Sequence, residues 1–211
     1  MIANTLQEQK IFRIDNFLEP QEHLKLLSYV LNKEAEFSFS TISNDENPDQ
    51  AVVDLTFRKS RELRSFPEIR MLINLKIQSV LSQVLAAVNL APFTVNPLLE
   101  MQLTAHNHGH FLKLHYDNNL KNLQRRITYA YYFYRSPKSF SGGHLKIYNP
   151  KKNSHSHALL DAVIECEDIE PLDNQIVFFP SHRYHEVTPV ICPTQQFADS
   201  RFALSGWIRA M

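Results

Sequence analysis

The sequence predicts an α+β fold in which helices pack on one face of an antiparallel sandwich or barrel. Before Pro92, apolar residues recur at helical spacing in two stretches. After Pro92, apolar and polar residues alternate in a series of short runs rich in β-branched and aromatic side chains. Helices therefore come first and strands follow, and this order argues against a βαβ repeat.

Composition limits the class of protein. The 211 residues fit one domain, and 22 basic residues balance 22 acidic ones, so we expect no attraction to nucleic acid or to an anionic membrane. The cysteines, Cys166 and Cys192, are too few for a disulfide framework, and the start MIANTLQEQK lacks the pattern of a signal peptide. Polar residues, including Arg70 and Lys76, interrupt the longest apolar region. We expect a cytoplasmic protein without a membrane span.

The first part of the chain predicts a short strand and two helices. IFRIDNF is typical of a strand, and Glu19 with Pro20 marks the start of a helix over PQEHLKLLSYVLNK. The apolar stripe of this helix consists of Leu24, Leu27, Val30 and Leu31. Residues 40–50 are polar turn-formers and predict an exposed loop. A second helix, from Phe66 to about Leu90, should back a sheet. Its apolar positions are Ile69, Leu72, Leu75, Val80, Leu81, Val84 and Val88.

The second part of the chain predicts the strands of that sheet. The alternating runs are PLLEMQLTAH, HFLKLHYD, RITYAYYFY, HLKIYNP, NQIVFFP, HEVTPVI and RFALSGWIRA. Gly142 and Gly143 mark the tight entry to one of these strands, a structural role. No internal repeat or low-complexity tract interrupts the series.

One run, LKLHYDNN at residues 113–120, carries a histidine and an aspartate two positions apart. In a strand, His115 and Asp117 point to the same face, so an imidazole and a carboxylate would converge on one spot. The stretch FFPSHRYHEVTPV offers His185 as a third ligand. Two histidines and one carboxylate are the facial triad that holds Fe(II) and leaves coordination positions open. The alternative is a histidine and aspartate that decorate the surface.

Five ordered motifs raise the metal interpretation above that alternative. They are GHFLKLHYDN, RITYAYYFY, SGGHLKIY, FFPSHRYHEVTPV and SRFALSGWIR. Over roughly residues 95–210, the chain resembles the Fe(II)- and 2-oxoglutarate-dependent dioxygenases, in their prolyl 4-hydroxylase-like branch. The resemblance implies a double-stranded β-helix, or jelly-roll, core with N-terminal helices packed on one sheet. It also implies a single dioxygenase domain over residues 1–211, with mainly helical support in 1–92 and the core in 93–211.

The same resemblance assigns the site residues. It implies that His115, Asp117 and His185 are the catalytic iron ligands and that Arg201 pairs with the distal carboxylate of 2-oxoglutarate, a task that suits a planar guanidinium. Tyr132 matches a family tyrosine that reaches the same carboxylate. Arg209 is the rival of Arg201, because 16 positions separate His185 from Arg201 and relatives have a shorter connection. Tyr129 and Tyr131 are the rivals of Tyr132, on the opposite strand face.

The segment HNHGHF departs from the family pattern. His106 stands where relatives often have a tyrosine near the cosubstrate, so we expect it to contact cosubstrate or substrate. His108 and His110 share its parity, and a separate zinc site of the H-x-H type is the less favoured interpretation, because Gly109 interrupts the run and no cysteine accompanies it. His144 and His182 are predicted to be structural or surface residues.

The resemblance implies a hydroxylase that oxidatively decarboxylates 2-oxoglutarate to succinate and hydroxylates an amino-acid-like or peptidyl carbon, with a prolyl carbon among the candidates. It implies Fe(II), 2-oxoglutarate as cosubstrate, molecular oxygen and optional ascorbate. The substrate is a small molecule or a peptide. Two alternatives are a cupin-like metalloenzyme that needs no 2-oxoglutarate and a non-catalytic jelly-roll binding module. The first has no reason to keep Arg201 with Tyr132. The loop from Thr41 to Asp54 and the segment 118–126 are predicted to close over the iron.

Overall fold

The computed structural model describes residues 10–43, 51–149 and 165–211. Within these ranges the strands and helices follow the chain as β1 (Phe12–Ile14), α1 (Pro20–Leu31), β2 (Ser38–Phe39), β3 (Ile42–Ser43), β4 (Ala51–Val52), β5 (Arg58–Lys59), β6 (Arg61–Leu63), α2 (Pro67–Val88), β7 (Glu100–His106), β8 (Phe111–His115), β9 (Arg125–Phe133), β10 (Ser141–Gly142), β11 (Leu145–Tyr148), β12 (Cys166–Ile169), β13 (Gln175–Pro180), β14 (His185–Val187), β15 (Val190–Ile191) and β16 (Arg201–Arg209). Short 3-10 helices occupy Glu34–Glu36 and Phe197–Asp199.

Two antiparallel sheets form the core. In the described ranges the major sheet has seven strands in the order β1-β13-β9-β16-β7-β6-β2, and the minor sheet has five in the order β12-β11-β14-β8-β5. Two-stranded ribbons, β10-β15 and β3-β4, accompany them. Neighbouring strands are often distant in sequence, as when β16 inserts between β9 and β7. This arrangement is the predicted jelly-roll sandwich.

The helices cover one face of the major sheet. Glu19 and Glu22 form a capping box at the start of α1, and Pro20 occupies its first turn, as predicted. The largest apolar cluster joins both helices to alternate residues of the major sheet, including Tyr131 and Phe202. A second cluster, with Tyr132, lies on the face of the sheet turned to the minor sheet. Each long strand therefore has one helix-facing side and one inner side.

The phase of both helices differs in part from the sequence prediction. In α1 the buried residues include Leu26 and Val30, whereas Leu24, predicted to lie on the apolar stripe, is 61% exposed. In α2 the buried positions include Ile73 and Ile77, whereas Leu75 is exposed. Both helices contain more apolar residues than one buried stripe requires. The spacing of these residues therefore does not decide between two rotations of the helix about its axis that differ by one residue.

The region before residue 93 also contributes strands that the sequence did not indicate. Strand β1 was predicted, but β2, β5 and β6 extend the edges of the two sheets. Within the predicted loop 40–50, Ile42 pairs with Val52 in a small ribbon, and residues 44–50 lie outside the described residues. These strands are two or three residues long, too short for alternation to show.

Helix α2 satisfies the length and composition of a membrane-spanning helix, with a mean hydropathy of 1.5 over its most apolar window. This is weak evidence by itself, because core helices share these properties. In the structure α2 packs Ile69, Ile73 and Ile77 into the main apolar cluster. The absence of a membrane span stays a prediction.

Candidate functional site

A cavity of about 530 Å³ lies between the two sheets. Strands β8, β11 and β14 of the minor sheet form one wall, and the inner sides of β7, β9 and β16 form the other. Parts of the connections around residues 41–42, 54–57 and 119–125 lie at its rim. Its size is that of a site for a small ligand rather than a packing defect.

The cavity wall carries His115, Asp117 and His185, and their ligand atoms all lie within 4.8 Å of one another. His115 Nε2 is 3.6 Å from Asp117 Oδ1, and His185 Nε2 is 3.4 Å from Asp117 Oδ2. His115 and His185 are direct partners in the register of β8 and β14. Asp117 lies just beyond the end of β8, where its backbone N–H donates to Ser181 O. Among the described residues this is the one cluster with the makeup of a metal site.

Backbone carbonyls fix both imidazole rings. His115 Nδ1 lies 2.8 Å from Lys113 O, and His185 Nδ1 lies 2.9 Å from Arg183 O. A carbonyl can only accept, so each Nδ1 carries a proton, and in the neutral ring the lone pair is on Nε2. In both rings Nε2 is the nitrogen near Asp117. A neutral ring with its proton on Nδ1 is therefore the tautomer that can bind a metal beside Asp117.

Asp117 is held by a side chain that the sequence analysis missed. The Thr128 hydroxyl, on β9, donates to Asp117 Oδ2 at 2.7 Å. The Ser181 hydroxyl lies 3.0 Å from Thr128 Oγ1 on the other side. In sequence, Thr128 is one of many β-branched residues in an apolar strand, so its role is visible only once β9 lies beside the end of β8.

The site favours a neutral imidazole beside an ionised carboxylate. Burial, reinforced by His185, lowers the pKa of His115 to about 4, although Asp117 acts in the opposite direction. Burial acts to raise the pKa of Asp117, but His185, His115 and the Thr128 hydroxyl outweigh it and hold that pKa below its usual value. A lone-pair nitrogen and a carboxylate at neutral pH are the states that bind a divalent cation.

A second polar group lies further along the cavity, around Arg201. Arg201 begins β16 opposite His106 of β7, and its Nη1 is 3.5 Å from His106 Nδ1. The Arg201 guanidinium also lies over the Tyr132 ring, with Cζ 4.6 Å from the centroid. Within the described residues, Arg201 Nε, Tyr132 Oη and His106 Nε2 are buried without a hydrogen-bond partner. Three such atoms that line one cavity can bind a polar ligand.

Burial and mutual proximity shape the charge of this group. Burial lowers the pKa of Arg201, and Tyr132 opposes that shift. Burial, then the positive charge of Arg201, holds the pKa of His106 well below its usual value, so His106 is neutral. One guanidinium beside a tyrosine hydroxyl and a neutral imidazole suits a carboxylate.

Gly143 makes room for Arg201. A Cβ at Gly143, which has φ +66°, would lie 2.8 Å from Arg201 Cδ and 2.8 Å from Val190 Cγ2. The sequence predicted only a structural turn at this glycine. It also gives the buried arginine the space it occupies.

The side chains of the rival residues are bonded to other groups. Arg209 Nη1 donates to Glu100 Oε1 at 2.9 Å, outside the Arg201 group. Tyr131 faces the helices, where its hydroxyl contacts His23 and Asn174, and Tyr129 donates to Glu100 O. The structure therefore places Arg201 and Tyr132, not their rivals, beside one another. The long connection before Arg201 is accommodated by β15 and a 3-10 helix.

The other histidines do not join the cavity cluster. His110 is buried and His108 exposed beside a separate small cavity, and no metal cluster forms there within the described part of the chain. His144 is at the surface beside Asp168, and His182 is exposed, as predicted. Only His106 of the HNHGHF segment lines the main cavity.

The donor set fits Fe(II) and 2-oxoglutarate. Two imidazole nitrogens and one carboxylate oxygen are the ligand types of a facial iron triad, on the wall of a cavity large enough for further ligands. His115, Asp117 and His185 would hold the metal. Arg201, with its partnerless Nε, and Tyr132 Oη would bind the distal carboxylate of 2-oxoglutarate.

Comparison with known proteins agrees with this geometry. The profile of the 2OG-Fe(II) oxygenase superfamily matches residues 101–209. An uncharacterized PKHD-type hydroxylase, sll0191, of Synechocystis sp. is 37% identical over 199 residues, which are 93% of this chain and 62% of that protein. The chain thus spans less than two thirds of the length of this curated relative.

Solved structures share the fold. A prolyl-4-hydroxylase of Pseudomonas putida is 19% identical, with a TM-score of 0.64, and the match covers 96% of this chain and 94% of that one. A Trichoplax adhaerens prolyl hydroxylase, solved with a hypoxia inducible factor peptide fragment, is 18% identical, with a TM-score of 0.70 and coverage of 100% and 88%. At such identities the likeness concerns the fold, and it confirms the α+β jelly-roll prediction. Since the superfamily profile spans half of the sequence and includes all three residues of the metal cluster, the chain belongs to the 2OG-Fe(II) oxygenase superfamily and resembles its prolyl 4-hydroxylase-like branch.

Proposed function

We propose that this protein is an Fe(II)- and 2-oxoglutarate-dependent hydroxylase. The observation that carries the proposal is one cavity with two complementary groups. His115, Asp117 and His185 converge within 4.8 Å on its wall, and the buried Arg201 lies further along, beside Tyr132. A cupin-like enzyme that needs no 2-oxoglutarate would have no use for the second group.

The bound iron, with 2-oxoglutarate and molecular oxygen, supplies the oxidation: 2-oxoglutarate becomes succinate and carbon dioxide, and a substrate C–H becomes C–OH. The protein residues hold and orient the reactants. His115 and His185 present fixed Nε2 lone pairs, and Thr128 fixes one oxygen of Asp117. Arg201 orients the cosubstrate through its distal carboxylate. The cavity walls exclude bulk water from the reacting atoms.

The proposed substrate is an amino-acid-like or peptidyl carbon, with a prolyl carbon among the candidates. The support is the likeness to enzymes described as prolyl hydroxylases and a cavity whose size suits one small side chain or amino acid. Ascorbate is proposed as an optional addition to the assay. We also propose a cytoplasmic location, from the composition alone.

An anaerobic titration tests the proposal. Addition of Fe(II) and then 2-oxoglutarate should produce a visible metal-to-ligand absorption band, and admission of oxygen should yield succinate. His144→Ala is the matched control, because His144 is a surface histidine bonded to Asp168 and should change neither signal. Absence of both the band and succinate in the folded wild-type protein would contradict the proposal and favour a binding module.

A further inference from the structure

Arg58 is a buried cation in the wall of the main cavity. It is 8% exposed, on β5, and the sequence analysis did not identify it. Its Nε donates to Ser60 Oγ at 3.1 Å, its Nη2 to Gln102 Oε1 at 3.2 Å, and its Nη1 to Thr41 O at 3.4 Å. All three acceptors are uncharged, and no carboxylate of the described residues forms an ion pair with Arg58.

Two other arginines, Arg125 and Arg209, share a carboxylate partner. Arg125 lies at the rim, and its Nε and Nη2 both lie 2.7 Å from Glu100 Oε2. Arg209 binds the other oxygen of Glu100. Around Arg58, only Glu62 and Asp117 act on it from a distance, and burial lowers its pKa more than they raise it. A guanidinium buried without an anion among the described residues is costly, and a carboxylate of a bound ligand would offset that cost.

Arg58 and Arg201 lie at different levels of the cavity. Arg58 bonds to Gln102, which is opposite Ser205 in the register, whereas Arg201 is opposite His106. The backbone positions of Gln102 and His106 are four residues apart along β7, about 13 Å at about 3.3 Å per residue, although the charge of Arg58 still acts on His106. Arg58 also lies on the β5 side, where the minor sheet ends. A carboxylate bound at Arg201 therefore leaves Arg58 available.

The charges of the proposed reactants leave Arg58 unmatched. One carboxylate of 2-oxoglutarate belongs with Arg201, and the other, together with Asp117, balances the two charges of Fe(II). Asp54 at the rim accepts hydrogen bonds from the backbone and hydroxyl of Thr56, so it is held in its own turn. Among the described arginines that line the loaded cavity, Arg58 is the one without a bonded anion.

We propose that Arg58 binds a carboxylate of the substrate. The inference rests on the proposed function and narrows its substrate class to acids. Gln102, held by Arg58, and Ser205 opposite it provide uncharged polar groups at the same level of the cavity. The carboxylate belongs either to the α-carboxyl group of a free acid or to an acidic side chain in a peptide, and both present the same two oxygens to the guanidinium.

The single tryptophan gives a binding assay that needs no turnover. Trp207 lines the cavity and is the only tryptophan in the sequence. The protein loaded with Zn(II) and 2-oxoglutarate is titrated with N-acetyl amino acids, each as the free acid and as the primary amide, while Trp207 fluorescence is followed. A third set, the primary amides of N-acetyl aspartate and N-acetyl glutamate, carries the charge on the side chain only. This set distinguishes the two sources of the carboxylate.

We expect acids to bind about tenfold more tightly than their amides in the wild-type protein. Arg58→Gln should remove this preference. Lys59→Gln is the matched control: it removes the same charge from the adjacent residue of β5, which does not line the cavity, and should keep the preference. Arg58→Lys retains the positive charge but not the planar guanidinium, so it should keep only part of the preference for acids. This variant keeps the inference testable if Arg58→Gln does not fold.

Two outcomes overturn the inference. In the first, neither the free acids nor the side-chain acids of the third set bind the wild-type protein more tightly than the uncharged amides. In the second, the preference for a carboxylate is unchanged in both Arg58 variants. The Zn(II) and 2-oxoglutarate affinities are measured on the same samples. If 2-oxoglutarate fails to bind, the proposed function fails. If it binds and the acid preference is absent, only the role of Arg58 fails.

Discussion

The two sides of the major sheet have different roles: one packs against the helices, and the other lines the cavity. On the helix-facing side, Tyr131, Phe202 and Leu204 are fully buried in the main apolar cluster. On the inner side of the same strands, Thr128 and Arg201 face the cavity. Phe202 directly follows Arg201, so adjacent residues serve the core and the site. Changes on one side should therefore spare the property carried by the other.

The largest effect should come from the metal cluster. We predict that His115→Ala, Asp117→Ala and His185→Ala each lose most Fe(II) affinity and all succinate production. Each change removes one of the three proposed ligands while the helix-backed core is left intact. Metal affinity, succinate yield and the circular dichroism spectrum check this together. Full activity in any one variant removes that residue from the triad.

A change on the helix-facing side should have the opposite result, with lower stability and unchanged ligand binding. Leu204→Ala should lower the free energy of unfolding by about 2 to 5 kcal/mol, because it leaves a cavity at a fully buried position in the middle of β16. The folded variant should bind Zn(II) and 2-oxoglutarate as the wild type does. Denaturant titration measures the first effect and ligand titration the second.

Leu75→Ala is the control for that variant. Leu75 is 63% exposed on α2, so its truncation should change stability by less than about 0.5 kcal/mol. If Leu204→Ala lost 2-oxoglutarate affinity in proportion to its stability, the two sides of the sheet would not be separable.

Arg201 should come next. Arg201→Ala should weaken 2-oxoglutarate binding by about 3 kcal/mol, because a buried guanidinium is replaced and the ligand carboxylate is left without its partner. Fe(II) affinity should change far less. Arg209→Ala is the matched control, since Arg209 pairs with Glu100 instead. An effect confined to Arg209→Ala would show that the distal carboxylate binds elsewhere.

Thr128 should have a smaller effect on the metal itself. Thr128→Val removes the hydroxyl that donates to Asp117 Oδ2 and should weaken Zn(II) binding about 10- to 100-fold. Thr104→Val is the control: Thr104 lines the same cavity, but its hydroxyl donates to Ala203 O. Competition with a chromogenic chelator measures both variants. Equal losses would mean that the hydroxyl does not act through Asp117.

The sequence predicted the structure best where the periodicity of a strand and a metal-ligand motif indicated the same arrangement. The i and i+2 spacing of His115 and Asp117 predicted that both side chains reach one spot, and the structure brings them there although β8 ends at His115. The long strands after residue 99 were found because their apolar pattern persists over several residues, whereas β10 and β12 were not among the predicted runs. Arg201 could be chosen over Arg209 only through resemblance, since both flank the same strand.

Residues whose role depends on distant partners escaped the sequence analysis. Arg58 lies in the short polar stretch FRKS. Its proposed role depends on its hydrogen bond to Gln102 and on its place in the cavity wall. Thr128 looks like any β-branched strand residue until Asp117 lies beside it. Arg58 and Gln102 are 44 positions apart in sequence, and Thr128 and Asp117, 11 positions apart, meet across the two sheets. Neither composition nor periodicity predicts such contacts.

The smallest expected effect concerns the segment 118–126 at the rim. Asn119 and Asn122 line the cavity, and Asn118 donates to Arg125 O, which folds the segment back on itself. The segment follows the Asp117 ligand directly, so it borders the place where a substrate enters. A covering segment would keep water from the reacting atoms.

We predict that a short Gly/Ser linker in place of 118–126 spares iron and 2-oxoglutarate binding but uncouples succinate formation from substrate hydroxylation. The replacement removes Arg125 from Glu100, so the single variant Arg125→Gln is needed to separate that ion pair from the loop. Coupling is measured as hydroxylated product per succinate. If the linker variant kept the wild-type ratio, the segment would be only a connection, and the inner side of the sheet would suffice for both binding and coupling.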